Sequence, residues 1–135
     1  MDFEHLLGLH TGTRRDPLPI VSIDPLVARA LGADVRQVLL SAATIRKQLV
    51  RHRELPISVY RALPPCLLRG AYRQDGPRSA VVLFTEPVEP GRHFRAYVKA
   101  TQAGHELYLT SFLTMRDRDM RRELRKPYPL IRAAL

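Results

Sequence analysis

From residue 70 onward, hydrophobic and polar positions alternate in short runs. "GAYRQD", "SAVVLF", "FRAYVKAT" and "HELYLTSFL" are separated by "GPR", "TEPVEPGRH" and "QAG". β-branched and aromatic residues at period two, bounded by Gly or Pro, predict a four-stranded antiparallel meander. Upstream the spacing is helical. In "SAATIRKQLVRHREL", Ala42, Ile45, Leu49 and His52 recur at helical intervals behind Ser41, a capping residue, and Pro56 stops the run. "SIDPLVARALGA" predicts a shorter helix, with Asp24 as cap, Pro25 in the first turn and Gly32 as stop. "DVRQVLLS" fits either a strand or the lead-in to the next helix, and "ISVYRALPPCLL" fits a helical turn or two before Pro64 and Pro65. "MRDRDMRRELRKPYP" reads as a basic helix ended by Pro127 and Pro129. "DFEHLLGLH" is a short helix, and "TGTRRDPLP" after it breaks regular structure, so residues 1–19 read as an arm and 20–135 as one domain. The predicted class is α+β: N-terminal helices, a four-stranded antiparallel sheet, then a C-terminal helix.

Such a sheet has one face on the helices and one free. With Ala103-Gly104 as a two-residue turn, Thr101 opposes Glu106, Lys99 opposes Tyr108, Tyr97 opposes Thr110 and Arg95 opposes Phe112, all on one face. The other face holds Phe94, Ala96, Val98, Ala100, Leu107, Leu109 and Ser111 and is the core side. A one-residue slip would exchange Thr110 for Ser111. Lysine is depleted from strands, so Lys99 among tyrosines marks either a wet sheet face or a site.

Charge sharpens that choice. Lys and Arg number 22 against 13 Asp and Glu, a net charge of +9, so an anionic partner fits. Cations and aromatic rings on one sheet suit RNA, because bases stack on rings while cations hold phosphates. Arg118, Arg121, Arg122 and Arg125 make a stripe on the last helix. It reads as a salt-bridged solvated face, with Asp117 placed to pair with Arg121, or as a phosphate track. The single cysteine, Cys66, sits among apolar residues and reads as a buried thiol; no disulfide is possible within the chain. No spacing indicates a metal site, His5 and His10 included, and no cofactor is expected. No apolar run reaches membrane length and no leader pattern is present, so the chain reads as cytoplasmic, with export by a specialised secretion system left open.

The order of three motifs resembles the phage-associated branch of the barnase–EndoU–colicin–RelE-like (BECR-like) nuclease superfamily. These are Thr44, Lys47 and His52 on the long helix, Val98-Lys99 in one strand, and Thr110-Ser111-Phe112 in the next, spanning roughly residues 35 to 126. Arg53-Glu54 follow the histidine where that family usually has proline. The resemblance implies two helices before a four-stranded sheet and metal-independent RNA cleavage by attack of a 2′-OH on phosphorus. It implies His52 as acid or base and Lys99 as stabiliser of the charged transition state. Thr110 or Ser111 would orient a phosphate oxygen. Tyr97 or Tyr108 would stack or hydrogen-bond, and Arg69, just before the first strand, would be a second phosphate ligand. Lys47 of the first motif, Arg95 of the sheet face, and Arg118 and Arg122 of the stripe are the further candidate substrate contacts. A toxin or phage-linked effector with a cognate inhibitor or immunity protein is the implied setting. A nucleic-acid-binding module without chemistry, or a protein-interaction domain, are the other readings of the same residues.

Overall fold

Each strand of the expected meander is present, and three more join them, one of them from "DVRQVLLS", where a strand is one of two readings. The computed structural model describes residues 1–53, 55–88 and 91–135. Glu54, within the histidine motif, and Glu89 and Pro90, within the linker between the second and third expected strands, lie outside the described residues. The helices are α1 (Phe3–Thr11), α2 (Pro25–Ala30), α3 (Ala42–Arg51), α4 (Leu63–Arg69) and α5 (Asp117–Leu124). The strands are β1 (Leu18–Ser22), β2 (Gln37–Leu40), β3 (Ala71–Gly76), β4 (Ser79–Thr85), β5 (His93–Ala100), β6 (Leu107–Met115) and β7 (Leu130–Arg132). They form one seven-stranded sheet in the order β1-β2-β6-β5-β4-β3-β7. The meander β3 to β6 is antiparallel as expected, whereas β2 runs parallel to β6, so the sheet is mixed rather than a four-stranded antiparallel one. The class remains α+β.

Residues 1–19, expected as an arm, help build the core instead. Asp2 caps α1 by accepting the Glu4 N–H at 2.8 Å, and Leu6 and Leu9 are buried. The next segment enters the sheet as β1 despite Pro19, because β1 is an edge strand with β2 as its one neighbour. Residues 57–62 form a 3-10 turn, and α4 begins at the prolines rather than ending before them. Pro64 and Pro65 occupy its first turn, where N–H groups have no helical partner to lose. In α3 the Ser41 hydroxyl accepts the Thr44 N–H at 3.1 Å, as the cap reading requires. The buried positions are Ile45 and Gln48, and His52 is the C-cap. The Gln48 carboxamide donates to the Phe112 carbonyl, which lies beyond the short stretch of β6 paired with β2 and needs a donor.

The β5–β6 register holds one surprise. Lys99 opposes Tyr108 and Val98 opposes Leu109, as the turn reading requires, but Tyr97 then opposes Ser111. Thr110 is an extra residue, a β-bulge, and beyond it the faces of β6 are exchanged relative to the unbroken alternation. Phe112, expected on the outer face opposite Arg95, faces Ala96 and is fully buried. It stacks on Phe94 at 5.6 Å with planes 3° apart and meets Tyr60 at 5.3 Å. Arg95 opposes Leu113, and Ser111 joins the outer face.

That outer face is not wholly free. α5 and the tail pack over one end of it, where Met120 and Tyr128 cover Val81, Leu83, Met115, Tyr97 and Leu113 in a second, smaller core. Beneath α5, Glu123 is only 3% exposed. Its Oε1 accepts from Arg95 at 2.6 Å and from Lys126 at 2.9 Å. Arg73 donates to the backbone carbonyls of Glu123 and Lys126, tying β3 to the end of the helix. Burial opposes ionisation of Glu123, but the hydrogen bonds and charges of Lys126 and Arg95 outweigh it and hold the carboxyl below its ordinary pKa. Its contribution is therefore full above the ordinary carboxylate pKa and is lost as acid protonates the folded state. Replacing Glu123 with Gln should cost roughly 3 kcal/mol, the low end for breaking a buried pair, because Arg95 and Lys126 keep some access to water. Urea unfolding at neutral pH measures this, and the gap between wild type and variant should close as the pH falls below about 4.

Candidate functional site

The part of the outer face that α5 leaves uncovered lies at the other end of β5, around Lys99. Lys99 stands between Ser79 of β4 and Tyr108 of β6, and its side chain is exposed. The β3–β4 turn is held beside it by the Ala100 N–H, which donates to the Arg78 carbonyl at 2.8 Å. Arg78, Lys99, Thr101, Gln102, Tyr108 and Thr110 line an open hollow of about 370 Å³. No carboxylate forms an ion pair with Lys99 or Arg78 among the described residues, so both cations face the hollow unpaired.

The remaining polar groups have defined roles. The Tyr108 hydroxyl donates to Glu106 Oε2 at 3.0 Å. Partial desolvation, that hydrogen bond and the Glu106 charge all raise its pKa, so it stays a phenol at neutral pH. Thr110 Oγ1 donates to the Tyr97 carbonyl at 3.3 Å, which leaves its oxygen as an acceptor toward the hollow. Ser79 donates to Asp75 at 2.6 Å. The bulge therefore gives a third answer to the register question. Thr110 reaches the hollow that Lys99 lines, while Ser111 lies farther along the same face, opposite Tyr97.

The hairpin tip is anchored from the side. Gly104 has φ 78°, and its carbonyl accepts the Asp34 N–H at 2.8 Å. A Cβ there would lie 2.2 Å from the Gly32 carbonyl oxygen, so only glycine fits. His105 and Asp34 add a contact at 2.7 Å.

The other expected site residues are dispersed. His52 ends α3, the helix that buries Ile45 and Gln48 in the main core, and it does not line the Lys99 hollow; its N–H donates to the Gln48 carbonyl at 2.8 Å. Lys47 is exposed on the same helix. Arg69 lines a separate, largely apolar hollow with Leu83, Thr85, Met120 and Leu135 at the covered end of the sheet. Arg95 is taken up by Glu123, with its guanidinium 5.1 Å from the Tyr97 ring, and Tyr97 belongs to the seam beneath α5. Arg118 and Arg122 are exposed on α5, and Arg122 borders the groove that holds Arg95, Glu123 and Lys126. Asp117, expected to pair with Arg121, binds His93 Nε2 at 2.6 Å instead, and His93 Nδ1 shares a hydrogen bond with Thr85 at 2.8 Å. Cys66 is fully buried, which pushes its thiol up to about 12 and leaves it unreactive.

Sequence reasoning missed Arg78. It lies in a Gly-Pro-Arg turn, and only the β4–β5 pairing, a contact over about 20 residues, brings it to Lys99. Among the described residues no His, Cys, Asp and Glu side chains group as a metal site needs, and no helix is long and apolar enough to cross a membrane. Comparison with protein-family models, curated proteins and solved structures finds no match for this chain.

Because the tip is fixed by a left-handed glycine in contact with Gly32, Gly104→Ala should destabilise the fold by roughly 1–3 kcal/mol from backbone strain alone, with the clash adding to it. Urea unfolding should show the lowered midpoint, and the amide of Asp34 should lose protection from hydrogen exchange.

Proposed function

We propose that the chain binds single-stranded RNA across the open end of its sheet, with Lys99 and Arg78 on phosphates and the Tyr108 ring as a stacking platform. The observation that carries this reading is the pair of cations, free of ion pairs, that flank a part-exposed tyrosine in one open hollow. Cations track the backbone regardless of sequence, and every base offers a π-face to a tyrosine. Thr110, left as an acceptor, suits a 2′-hydroxyl and favours RNA over DNA. The net charge of +9 supports long-range attraction to the strand.

Cleavage, as the family resemblance implies, is the second reading. Two cations beside one phosphate are what a crowded phosphorane needs, and Lys99 and Arg78 supply them. A base must also take the 2′-OH proton and an acid must protonate the leaving 5′-oxygen. Lys99 and Tyr108 are the titratable side chains lining the hollow, and His52 would have to be brought to the substrate from α3. On this reading the chain is a metal-independent endoribonuclease effector, and a cognate inhibitor would present an acidic surface to the same cations.

Binding is measured by fluorescence anisotropy with a short labelled RNA. Arg78→Ala with Lys99→Ala should weaken binding by more than about tenfold, since charge-assisted bonds to phosphate carry most of the affinity. The slope of log affinity against log salt should fall by about 0.7 for each phosphate that is no longer neutralised. Unchanged affinity and slope would reject the binding site. Cleavage predicts a 2′,3′-cyclic phosphate end, absent with His52→Ala and with Lys99→Ala. Equal degradation by wild type and a His52→Ala/Lys99→Ala double variant would assign the activity to a contaminant.

A further inference from the structure

The largest hollow among those described lies on a different part of the molecule, between the end of α1, the turn after it and the start of α3. It spans about 600 Å³, and Arg14, Arg15, Arg46, His10 and Thr11 are the polar side chains that line it. The volume falls in the range of small-molecule sites, but the lining is polar and basic rather than apolar. Three guanidinium groups share it and no carboxylate lines it. Arg15 and Arg46 are exposed and have no ion pair with any described residue. Arg14 is positioned by bonds from Nε to the Asp16 carbonyl at 3.2 Å and from Nη2 to the Pro17 carbonyl at 3.2 Å. Neutral carbonyls fix its direction without cancelling its charge, and the Nη1 hydrogens remain available.

Like charges gathered in one concavity repel, so the arrangement is at its most favourable with an anion between them. Guanidinium forks match phosphate oxygens two at a time, which a carboxylate of similar charge satisfies less fully in a site with three forks. The ten-residue α3 begins at Ala42 on the wall of the hollow and adds the partial positive charge of its first turn.

We propose that this hollow is a phosphate-binding site, separate from the sheet face, that takes a ligand carrying two or more adjacent phosphates. Such phosphates come either from a free polyphosphate or nucleoside polyphosphate, or from successive nucleotides of a nucleic-acid strand. None of the residues that line the hollow is a named site residue of the family motifs or part of the Lys99 surface, so the inference does not rest on the RNA-binding reading.

The test is titration calorimetry of the intact chain with inorganic tripolyphosphate, ATP and a short single-stranded RNA. Wild type is compared with Arg15→Glu/Arg46→Glu, and with Arg78→Glu/Lys99→Glu as a control of equal charge change. The altered arginines are exposed, so circular dichroism and the unfolding midpoint should be unchanged; Arg15→Ala/Arg46→Ala gives the same comparison if the reversal perturbs folding. A drop of more than about tenfold in tripolyphosphate or ATP affinity, in the Arg15/Arg46 variant and not in the control, supports the site with a free phosphate ligand. No binding of the small probes, with RNA affinity reduced more than about tenfold in the Arg15/Arg46 variant, supports it with a strand as ligand. Equal effects of the two double variants on the small probes would mean bulk charge alone and overturn the site. RNA binding abolished only in Arg78→Glu/Lys99→Glu, with no small-probe binding, would overturn the site while leaving the sheet-face reading intact.

Discussion

The extra residue in β6 is the constraint on which this structure turns. With Thr110 bulged, Phe112 points inward, stacks on Phe94 and meets Tyr60. Without it, the alternation through Lys99 and Tyr108 would carry a phenylalanine to the outer face and leave a void at the centre of the core. A bulge costs one ladder position but restores a buried aromatic, and burying a phenylalanine contributes roughly 1.5–3 kcal/mol. The same insertion keeps Thr110 at the hollow that Lys99 lines and brings Ser111, not Thr110, opposite Tyr97. One local irregularity thus serves the core while leaving the Lys99 end of the sheet in the register the turn sets.

The second organising contact is the clamp of α5 on the outer face. A sheet with one face on helices leaves the other open, but here Glu123, buried against Arg95 and Lys126, pins a helix across half of it. A charged residue in that position matters less for net stability than for register, because an apolar replacement would not demand Arg95 opposite it. The clamp withdraws Arg95 and Tyr97 from ligand contact and leaves Lys99 and Arg78 as the cations of the uncovered end of the sheet. Cation and aromatic side chains that look equivalent along one strand are therefore divided into structural and free groups by a helix that follows them in the chain.

Much of this is legible in the residues. The four strands of the meander have clear period-two patterns with Gly or Pro between them, and Asp24, Ser41 and the Pro127 stop behave as capping and breaking chemistry predicts. β1 and β7 do not stand out as strands of the sheet, and β2 settles "DVRQVLLS", which fits either a strand or a helix lead-in, as a strand. β1 carries a proline, β2 has four residues and β7 three, so each is held by its neighbours more than by its own pattern. The near half of the hairpin register follows from the turn, but a bulge has no local signature here, and Thr110 is an ordinary strand residue. Lys99, Tyr108 and Thr110 emerge together because alternation places them near one another. Arg78 is hidden in a turn, the Arg14, Arg15 and Arg46 hollow needs two helices to be docked, and the His93–Asp117 contact joins residues 24 apart. His52 is picked out by helical spacing and by its motif, but helix α3 carries it away from the Lys99 hollow.

The central claim is that the uncovered end of the sheet, and not the arginine-rich helix, is the RNA-contacting surface. The most direct measurement is an NMR titration of backbone amides with a short single-stranded RNA. The account predicts shifts concentrated at residues 78–79, 99–102 and 108–110, with those of α5, residues 117–124, close to unchanged. Shifts concentrated on α5 with the Lys99 end unmoved would contradict it.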